Sequence, residues 1–128
     1  MSFLNKLFGA SDAPAAQATP VARPQTAINA AEARARIDSA TPPFLLDVRE
    51  PYEYAEGHID GACLLPLGEL GCRLNELPQD REILVICRSG NRSGTATRQL
   101  VQAGYHAVNL TGGMIGWQRA GFPSQRGK

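Results

Sequence analysis

The sequence predicts an α/β fold, in which a parallel sheet is flanked by helices on both faces. Short apolar runs alternate along the chain with stretches that carry helix-start and helix-end signals. This alternation is typical of parallel sheets, because neighbouring parallel strands must be joined by crossover connections. No segment repeats, so a chain of 128 residues is expected to hold one domain.

We expect the chain to divide into three parts. Residues 1–25 are predicted to be a flexible amino-terminal segment that ends in a linker, because residues 9–25 are rich in Ala and Pro and contain no aromatic residue. Residues 26–123 form the predicted domain, and residues 124–128 form a short tail. The predicted domain is long enough to close one modest apolar core.

An apolar cluster lies near the start of the chain. Phe3, Leu4, Leu7 and Phe8 would share one face of a short helix, and so short a helix needs a surface to pack against. The single Lys6 gives little attraction to a lipid surface, whereas the linker would let a docking peptide reach a partner. We therefore expect partner docking or disorder here, in preference to membrane binding.

The first half of the predicted domain contains three helices and two strands. Asn29 and Glu32 have the spacing of a capping box, which predicts a helix start. Pro51 suits the first turn of a helix and Gly57 its end, while the apolar run after Pro43 indicates a buried strand. The predicted elements are a helix at residues 29–39, a strand at 44–48, a helix at 51–57, a strand at 62–65 and a helix at 67–74.

The second half contains the clearest strand of the chain, Ile-Leu-Val-Ile-Cys at residues 83–87. A helix is predicted at residues 94–103, and Gly104 is expected to end it. A strand at residues 107–110 and a short helix at residues 114–119 complete the predicted elements. Strands and helices therefore alternate through the whole domain.

Composition and charge narrow the classes of function. The chain has a formal net charge of +1, with 43% apolar and 20% charged residues, so no general affinity for nucleic acid is expected. Its start lacks the apolar run of a secretory signal, and no stretch is long and apolar enough to span a membrane. We therefore expect a cytoplasmic protein. Any selectivity for charged partners is expected to come from a local group of charges and not from the net charge.

The cysteine pattern argues against two common roles of cysteine, in disulfides and in zinc sites. Cys63, Cys72 and Cys87 are an odd number of cysteines and contain no Cys-x-x-Cys pair. A disulfide framework and a zinc site built on cysteine pairs are both disfavoured on this ground. Free thiols fit a reducing compartment, where a cysteine can remain reactive.

The loop at residues 87–94 carries the strongest chemical signal. A buried strand delivers Cys87 to its carboxyl end, where the ligands of α/β sheets bind and where inward-facing N–H groups favour anions. Arg88 and Arg92 add positive charge, so every local effect is expected to lower the pKa of the Cys87 thiol. A buried core cysteine is the alternative, which the polar residues that follow it argue against.

Four short motifs occur in order along the predicted domain. They are Leu-Asp-Val-Arg-Glu-Pro at residues 46–51, Gly-His-Ile-Asp-Gly-Ala at 57–62, Cys-Arg-Ser-Gly-Asn-Arg at 87–92 and Gly-Gly-Met-Ile-Gly-Trp at 112–117. Together they resemble the amino-terminal signature, the active-site loop and the carboxyl-terminal signature of the single-domain rhodanese (thiosulfate sulfurtransferase) family. The resemblance covers the predicted domain and implies a rhodanese-like, five-stranded parallel sheet flanked by helices on both faces.

The resemblance also implies a sulfurtransferase in which Cys87 carries sulfur as a persulfide. The implied donor is thiosulfate or a persulfide, and the implied acceptor is a thiol, cyanide or a sulfur-carrier protein. No metal or organic cofactor is implied, since the cysteine persulfide is itself the covalent intermediate. Asp47 and Arg49 are implied to be a structural pair that supports neighbouring loops. The implied substrate- and anion-binding residues are Arg88, Ser89, Gly90, Asn91, Arg92 and Ser93.

Two alternative functions remain open from the sequence. A non-catalytic rhodanese-like interaction module would keep the fold, although inactive modules of this family typically lack the cysteine that is present here. A cysteine-dependent phosphatase or arsenate reductase is less favoured, because phosphatase loops place one residue more between cysteine and arginine than the four that separate Cys87 from Arg92. In addition, Ile86 stands where those phosphatases usually have a histidine.

Three residues outside the loop are expected to take no part in the chemistry, and the role of a fourth, Cys72, depends on the fold. His58 is predicted to be structural or exposed, because sulfur transfer needs no general base at the attack. Cys63 is predicted to pack in a buried strand, and Trp117 to anchor the core. Cys72 would be a second sulfur-accepting thiol only if the fold brought it close to Cys87.

Overall fold

The computed structural model describes residues 26–127, so the predicted amphipathic helix and linker lie outside the described residues. The strands are β1 (Ala27–Ile28), β2 (Phe44–Asp47), β3 (Cys63–Leu64), β4 (Ile83–Ile86) and β5 (Ala107–Leu110). The helices are α1 (Ala30–Ile37), α2 (Pro51–Glu56), α3 (Leu67–Leu70), α4 (Asn91–Gln102) and α5 (Gly113–Arg119), and a 3₁₀ turn covers Leu74–Glu76.

All five strands pair in parallel, in the order β1-β5-β4-β2-β3. β4 is the central strand and is hydrogen-bonded on both sides, to β2 and to β5. The predicted five-stranded parallel sheet is therefore confirmed. Because the chain leaves every parallel strand at the same edge, the loop after β4 lies at the centre of the carboxyl edge of the sheet.

Residues of β4 alternate between two apolar cores, one on each face of the sheet. Ile83 and Val85 belong to the first core, together with Leu100 of α4. Leu84 belongs to the second core, together with Trp117 of α5. All four β4 residues are buried, as expected for a strand with helices on both sides, and the predicted layers are confirmed.

Local signals in the sequence explain where the first helices begin. The side chain of Asn29 accepts a hydrogen bond from the Glu32 N–H at 2.9 Å, which caps α1 as predicted. Helix α2 starts with Pro51 and has a capping box of Glu50 and Glu53, in which the Glu50 N–H donates to the Glu53 carboxylate at 3.0 Å. Both helices are therefore fixed at their amino ends by side chains close in sequence.

Three elements differ from the pattern-based prediction. β1 was not predicted from the pattern, because two residues are too few to show a period; it exists through its pairing with β5. The helix predicted at residues 67–74 ends at Leu70, since glycines at positions 68 and 71 weaken it, and the 3₁₀ turn follows. Helix α4 begins at Asn91, three residues earlier than predicted.

The predicted burial of Cys63 is wrong. Cys63 is exposed because β3 has only two residues and forms an edge of the sheet. Cys72 is exposed as well, in the turn after α3. Trp117 is the predicted core anchor: it is 1% exposed, and its indole N–H donates to the carbonyl oxygen of Pro123 at 2.8 Å.

Two residues of the predicted tail, Gln125 and Gly127, are hydrogen-bonded to the domain. Gln125 and His58 form an antiparallel bridge, with N–H to O distances of 2.8 and 2.9 Å. The Gly127 N–H also donates to the carbonyl oxygen of Ala55 at 2.9 Å. The folded unit therefore reaches at least Gly127. Within residues 26–127, no helix combines the length and apolar character needed to cross a membrane.

Candidate active site

Cys87 follows β4 directly, and α4 begins four residues later, at Asn91. Its side chain is 0% exposed, at the bottom of a loop that curls over it. Gly90 makes the turn into α4 with a φ of 104°, a conformation that glycine adopts without strain. The short loop curls so that the N–H of Gly90, the residue before α4, faces the sulfur.

Hydrogen-bond donors converge on the Cys87 sulfur. The Gly90 N–H lies 3.0 Å from Sγ, and the Ser93 hydroxyl oxygen lies 3.2 Å from it. The backbone N–H groups of Ser89 and Ser93 also lower the pKa of the Cys87 thiol. Backbone donors of this kind need no titratable base, so the thiol can ionise without a neighbouring histidine.

Burial and hydrogen bonding act on the Cys87 thiol in opposite directions. Burial is the largest single effect and raises the pKa of the thiol, because the charged form loses solvation. The hydrogen bonds from the Ser93 hydroxyl and from the N–H groups of Ser93, Gly90 and Ser89 outweigh burial, so the pKa lies below its ordinary value. The expectation that every local effect lowers this pKa is therefore corrected: burial opposes the others.

The start of α5 supports the loop from behind. The Met114 N–H donates to the carbonyl oxygen of Cys87 at 2.8 Å, and the Ile115 N–H donates to that of Arg88 at 3.1 Å. A Cβ atom at Gly113 would lie 2.5 Å from the Cys87 carbonyl oxygen, so only glycine fits there. The structural role of Gly113 was missed from the sequence, although its motif was recognised.

Arg92 is paired with a residue that was not predicted from the sequence. Its two terminal nitrogens bind the two carboxylate oxygens of Glu53 on α2, at 2.7 and 2.8 Å. The hydrogen bond from Arg92 is the main reason that the pKa of Glu53 is lowered from 4.5 to about 2. The positive charge of Arg92 is therefore largely balanced, and the loop is tied to α2.

Arg88 lies on the exposed side of the loop. Within residues 26–127 its side chain has no hydrogen-bond or ion-pair partner, unlike that of Arg92. Ser89 and Asn91 are exposed beside it. The outer surface of the loop therefore carries one unbalanced positive charge, which favours the approach of anions.

Asp47 and Arg49, predicted as structural support, lie with His58 in a separate buried cluster. Arg49 binds the Asp47 carboxylate, with Nη2 to Oδ2 at 2.7 Å, and also donates to the carbonyl oxygen of Gly57 at 2.8 Å. His58 is 1% exposed, lies 2.7 Å from the Tyr54 carbonyl oxygen through Nδ1, and stacks on the Tyr54 ring. These contacts connect the end of β2 to α2, which in turn carries Glu53.

Asn109 on β5 touches the loop and was missed from the sequence. Its Nδ2 donates to the carbonyl oxygen of Gly90 at 3.2 Å, and its Oδ1 accepts from the Ser93 hydroxyl at 2.5 Å. The residue precedes the loop's supporting motif by only a few positions, but a lone asparagine in a strand gives no sequence signal of such contacts. In the described part of the chain, no cluster of His, Cys, Asp and Glu side chains could hold a metal ion.

Comparison with known proteins gives one consistent family. The model of the rhodanese-like domain family matches residues 29–120. A sulfurtransferase from Allochromatium vinosum is 46% identical over 81 residues, which cover 62% of this chain and 76% of that protein. The putative sulfur carrier protein YrkF of Bacillus subtilis is 43% identical over 83 residues, covering 64% of this chain and 45% of that protein.

Solved structures show the same fold. A rhodanese-related protein from Thermoplasma volcanium superimposes with a TM-score of 0.73 at 36% identity, covering 77% of this chain and 96% of that one. A rhodanese-like domain protein from Staphylococcus aureus also has a TM-score of 0.73, at 28% identity, covering 81% of this chain and 100% of that one. The loop around Cys87 is therefore set in a fold with solved examples.

Proposed function

Because the chain belongs to the rhodanese-like domain family and its relatives include proteins named as sulfurtransferases, we propose that it transfers sulfane sulfur through a persulfide on Cys87. The observation that carries this proposal is the set of donors directed at one sulfur atom. A thiolate in such a site is a nucleophile at neutral pH, and a persulfide anion would be stabilised by the same donors.

The first half-reaction loads the sulfur. The Cys87 thiolate attacks the outer sulfur of thiosulfate, and a new sulfur–sulfur bond forms at Cys87. The sulfur–sulfur bond of thiosulfate breaks, its electron pair leaves with sulfite, and Cys87 holds a persulfide anion. Atoms and electrons balance without an external oxidant or a proton transfer, which fits a sulfur whose contacts within residues 26–127 include the Gly90 N–H and the Ser93 hydroxyl.

The second half-reaction transfers the sulfur from Cys87 to the acceptor. A thiolate or cyanide attacks the outer sulfur of the persulfide, and the electron pair of the breaking bond returns to the Cys87 thiolate. The transferable sulfur stands about 2 Å further from the backbone than Sγ, the length of a sulfur–sulfur bond. This added reach matters because Cys87 itself is fully buried. A protein persulfide can replace thiosulfate as donor, and a sulfur-carrier protein can replace cyanide as acceptor.

The loop residues have separate tasks in this mechanism. N–H groups of Ser89, Gly90 and Ser93 bind the anionic sulfur. Exposed Arg88 attracts the donor and the departing sulfite by charge. Arg92 contributes less charge than an unpaired arginine, and holds the loop against Glu53. Asp47 and Arg49 position α2 and therefore act only at a distance from the sulfur.

Intact-mass measurement tests the proposal. Incubation with thiosulfate is expected to add the mass of one sulfur atom, and cyanide or dithiothreitol is expected to remove it. Cys87→Ser is expected to abolish the gain, while the exposed Cys63→Ser and Cys72→Ser variants keep it. An adduct that persists in Cys87→Ser would assign the chemistry elsewhere, and a wild-type protein that never gains mass would favour a non-catalytic interaction module.

A further inference from the structure

The Ser93 hydroxyl faces two acceptors with a single proton. Its oxygen lies 3.2 Å from the Cys87 sulfur and 2.5 Å from Oδ1 of Asn109. A serine hydroxyl carries one O–H donor, so it cannot donate to both atoms at once. The two contacts therefore compete for one proton.

The orientation of the Asn109 amide is determined by its other contact. Gly90 presents a carbonyl oxygen 3.2 Å from the Asn109 side chain, and a carbonyl oxygen can only accept. The NH₂ end of the amide must therefore face Gly90, which leaves the oxygen end facing Ser93. An oxygen at that position accepts a proton and cannot supply one. The contact from the Ser93 hydroxyl to Asn109 is also shorter than its contact to the Cys87 sulfur.

We propose that Asn109 is a positioning residue that competes with the Cys87 sulfur for the Ser93 proton and so limits how far the thiolate is stabilised. When Cys87 is a thiol, Ser93 donates to Asn109. When Cys87 is a thiolate or a persulfide anion, donation from Ser93 to sulfur leaves the Asn109 oxygen without its donor. Part of the stabilisation of the anion is therefore offset.

This competition suits a sulfur that must both attack and leave. Thiolates with very low pKa values are weaker nucleophiles, so the most effective attacking thiol has a pKa near the ambient pH. The inference rests on the proposed function only in naming Cys87 as the reactive thiol. The pKa of that thiol can be measured without any sulfur donor.

The pKa of Cys87 is best measured by ultraviolet thiolate absorbance in full-length protein with Cys63→Ser and Cys72→Ser, so that one thiol titrates. In this background Asn109→Leu removes the competing acceptor at similar size, and the pKa is expected to fall by about one unit. The Gly90 carbonyl oxygen keeps its bond from the Gly94 N–H at 3.0 Å, so the loop retains a support. Asn109→Asp keeps an acceptor and adds negative charge, so the pKa is expected to rise.

A double-mutant comparison separates competition from a general packing effect. With Ser93→Ala in place there is no shared proton, so Asn109→Leu is expected to leave the pKa unchanged. Thr111→Val is the matched control, because this hydroxyl follows the same strand but donates to the Ile28 carbonyl oxygen. The pKa of Cys87 in Thr111→Val is expected to equal the pKa of Cys87 in the background protein.

Three results would overturn the inference: an unchanged or raised pKa in Asn109→Leu, an equal fall when Ser93 is absent, or an equal fall in Thr111→Val. Asn109→Ala serves as a second acceptor-free variant if the leucine variant does not fold. Thermal unfolding checks that each variant is folded. Failure to form a persulfide would contradict the proposed function, but it would leave these pKa comparisons intact.

Discussion

At the scale of single residues, the charge next to Cys87 is set by a partner far away in the chain. Glu53 and Arg92 are 39 positions apart and meet through two hydrogen bonds. The Glu53 side chain is 11% exposed, whereas that of Arg92 is 36% exposed, so the pair lies at the edge of the loop and is only partly screened by solvent. Glu53 therefore decides how much of the Arg92 charge an incoming anion meets.

Glu53→Gln is expected to lower the KM for thiosulfate, by about two- to fivefold at low salt, because the Arg92 charge is no longer balanced. Steady-state transfer from thiosulfate to cyanide measures the effect. Glu56→Gln is the control: it removes the same charge from an exposed position on the same helix. Equal changes in the two variants would show that only net charge matters, which would contradict a specific role for Glu53.

The same ion pair predicts how stability depends on acidity. The pKa of Glu53 is lowered from 4.5 to about 2 in the folded protein, chiefly by the Arg92 hydrogen bond. Its contribution to the free energy of unfolding is therefore fully present above pH 4.5 and is lost as the pH falls toward 2. Urea unfolding across this range should show a smaller loss for Glu53→Gln than for the wild type. Equal losses would mean that the pair does not stabilise the fold.

At the scale of elements, the loop is held between the start of α4 and the start of α5. The turn at Gly112 and Gly113 brings two N–H groups of α5 onto the carbonyl oxygens of Cys87 and Arg88. Gly113 has a φ of 55° and touches the backbone of the loop. The position of Cys87 therefore depends on a helix that follows it by more than twenty residues.

Gly113→Ala is expected to destabilise the fold and to raise the pKa of Cys87, because the added methyl group displaces the loop backbone. Gly121→Ala is a suitable control, since Gly121 has a φ of 81° but nothing within 4 Å of an added Cβ. Conformational strain alone costs about 1 kcal/mol, or roughly 4–8 °C in Tm for a domain of this size. Thermal unfolding should show a larger fall for Gly113→Ala. Similar falls in both variants would exclude the close approach as a cause.

At the scale of the whole molecule, the carboxyl-terminal residues close the domain onto α2. Three backbone hydrogen bonds join positions 125 and 127 to Ala55 and His58. Ending the chain after Pro123 is expected to lower Tm by about 4–8 °C, the shift that roughly 1 kcal/mol produces in a small domain. An unchanged Tm would show that these contacts contribute nothing to stability.

Removal of the amino-terminal segment is expected to have little effect, in contrast to truncation after Pro123. From composition alone, residues 1–24 are expected to contribute no core, so their deletion should leave Tm and sulfur transfer nearly unchanged. Thermal unfolding and the thiosulfate assay measure this. A large fall in Tm would place the amino-terminal segment in the core and move the predicted domain boundary.

Local sequence alone determined most of the elements and led to the proposal of Cys87 as the nucleophile. The apolar run of β4 predicts a buried strand, and the polar loop after it places Cys87 at a ligand-binding edge. The caps of α1 and α2 involve residues three positions apart, so they are visible in the sequence. The family motifs then predict the five-stranded sheet, which the structure contains.

Only the tertiary structure decided which distant residues meet around the Cys87 loop. Glu53 reaches Arg92, and Asn109 reaches Ser93, because sheet order brings α2, α4 and β5 together around one loop. The same order places Cys63 at an exposed edge, contrary to its predicted burial. Periodicity and capping report on neighbours within a few residues, whereas contacts across the sheet depend on how the strands are ordered, which no local pattern encodes.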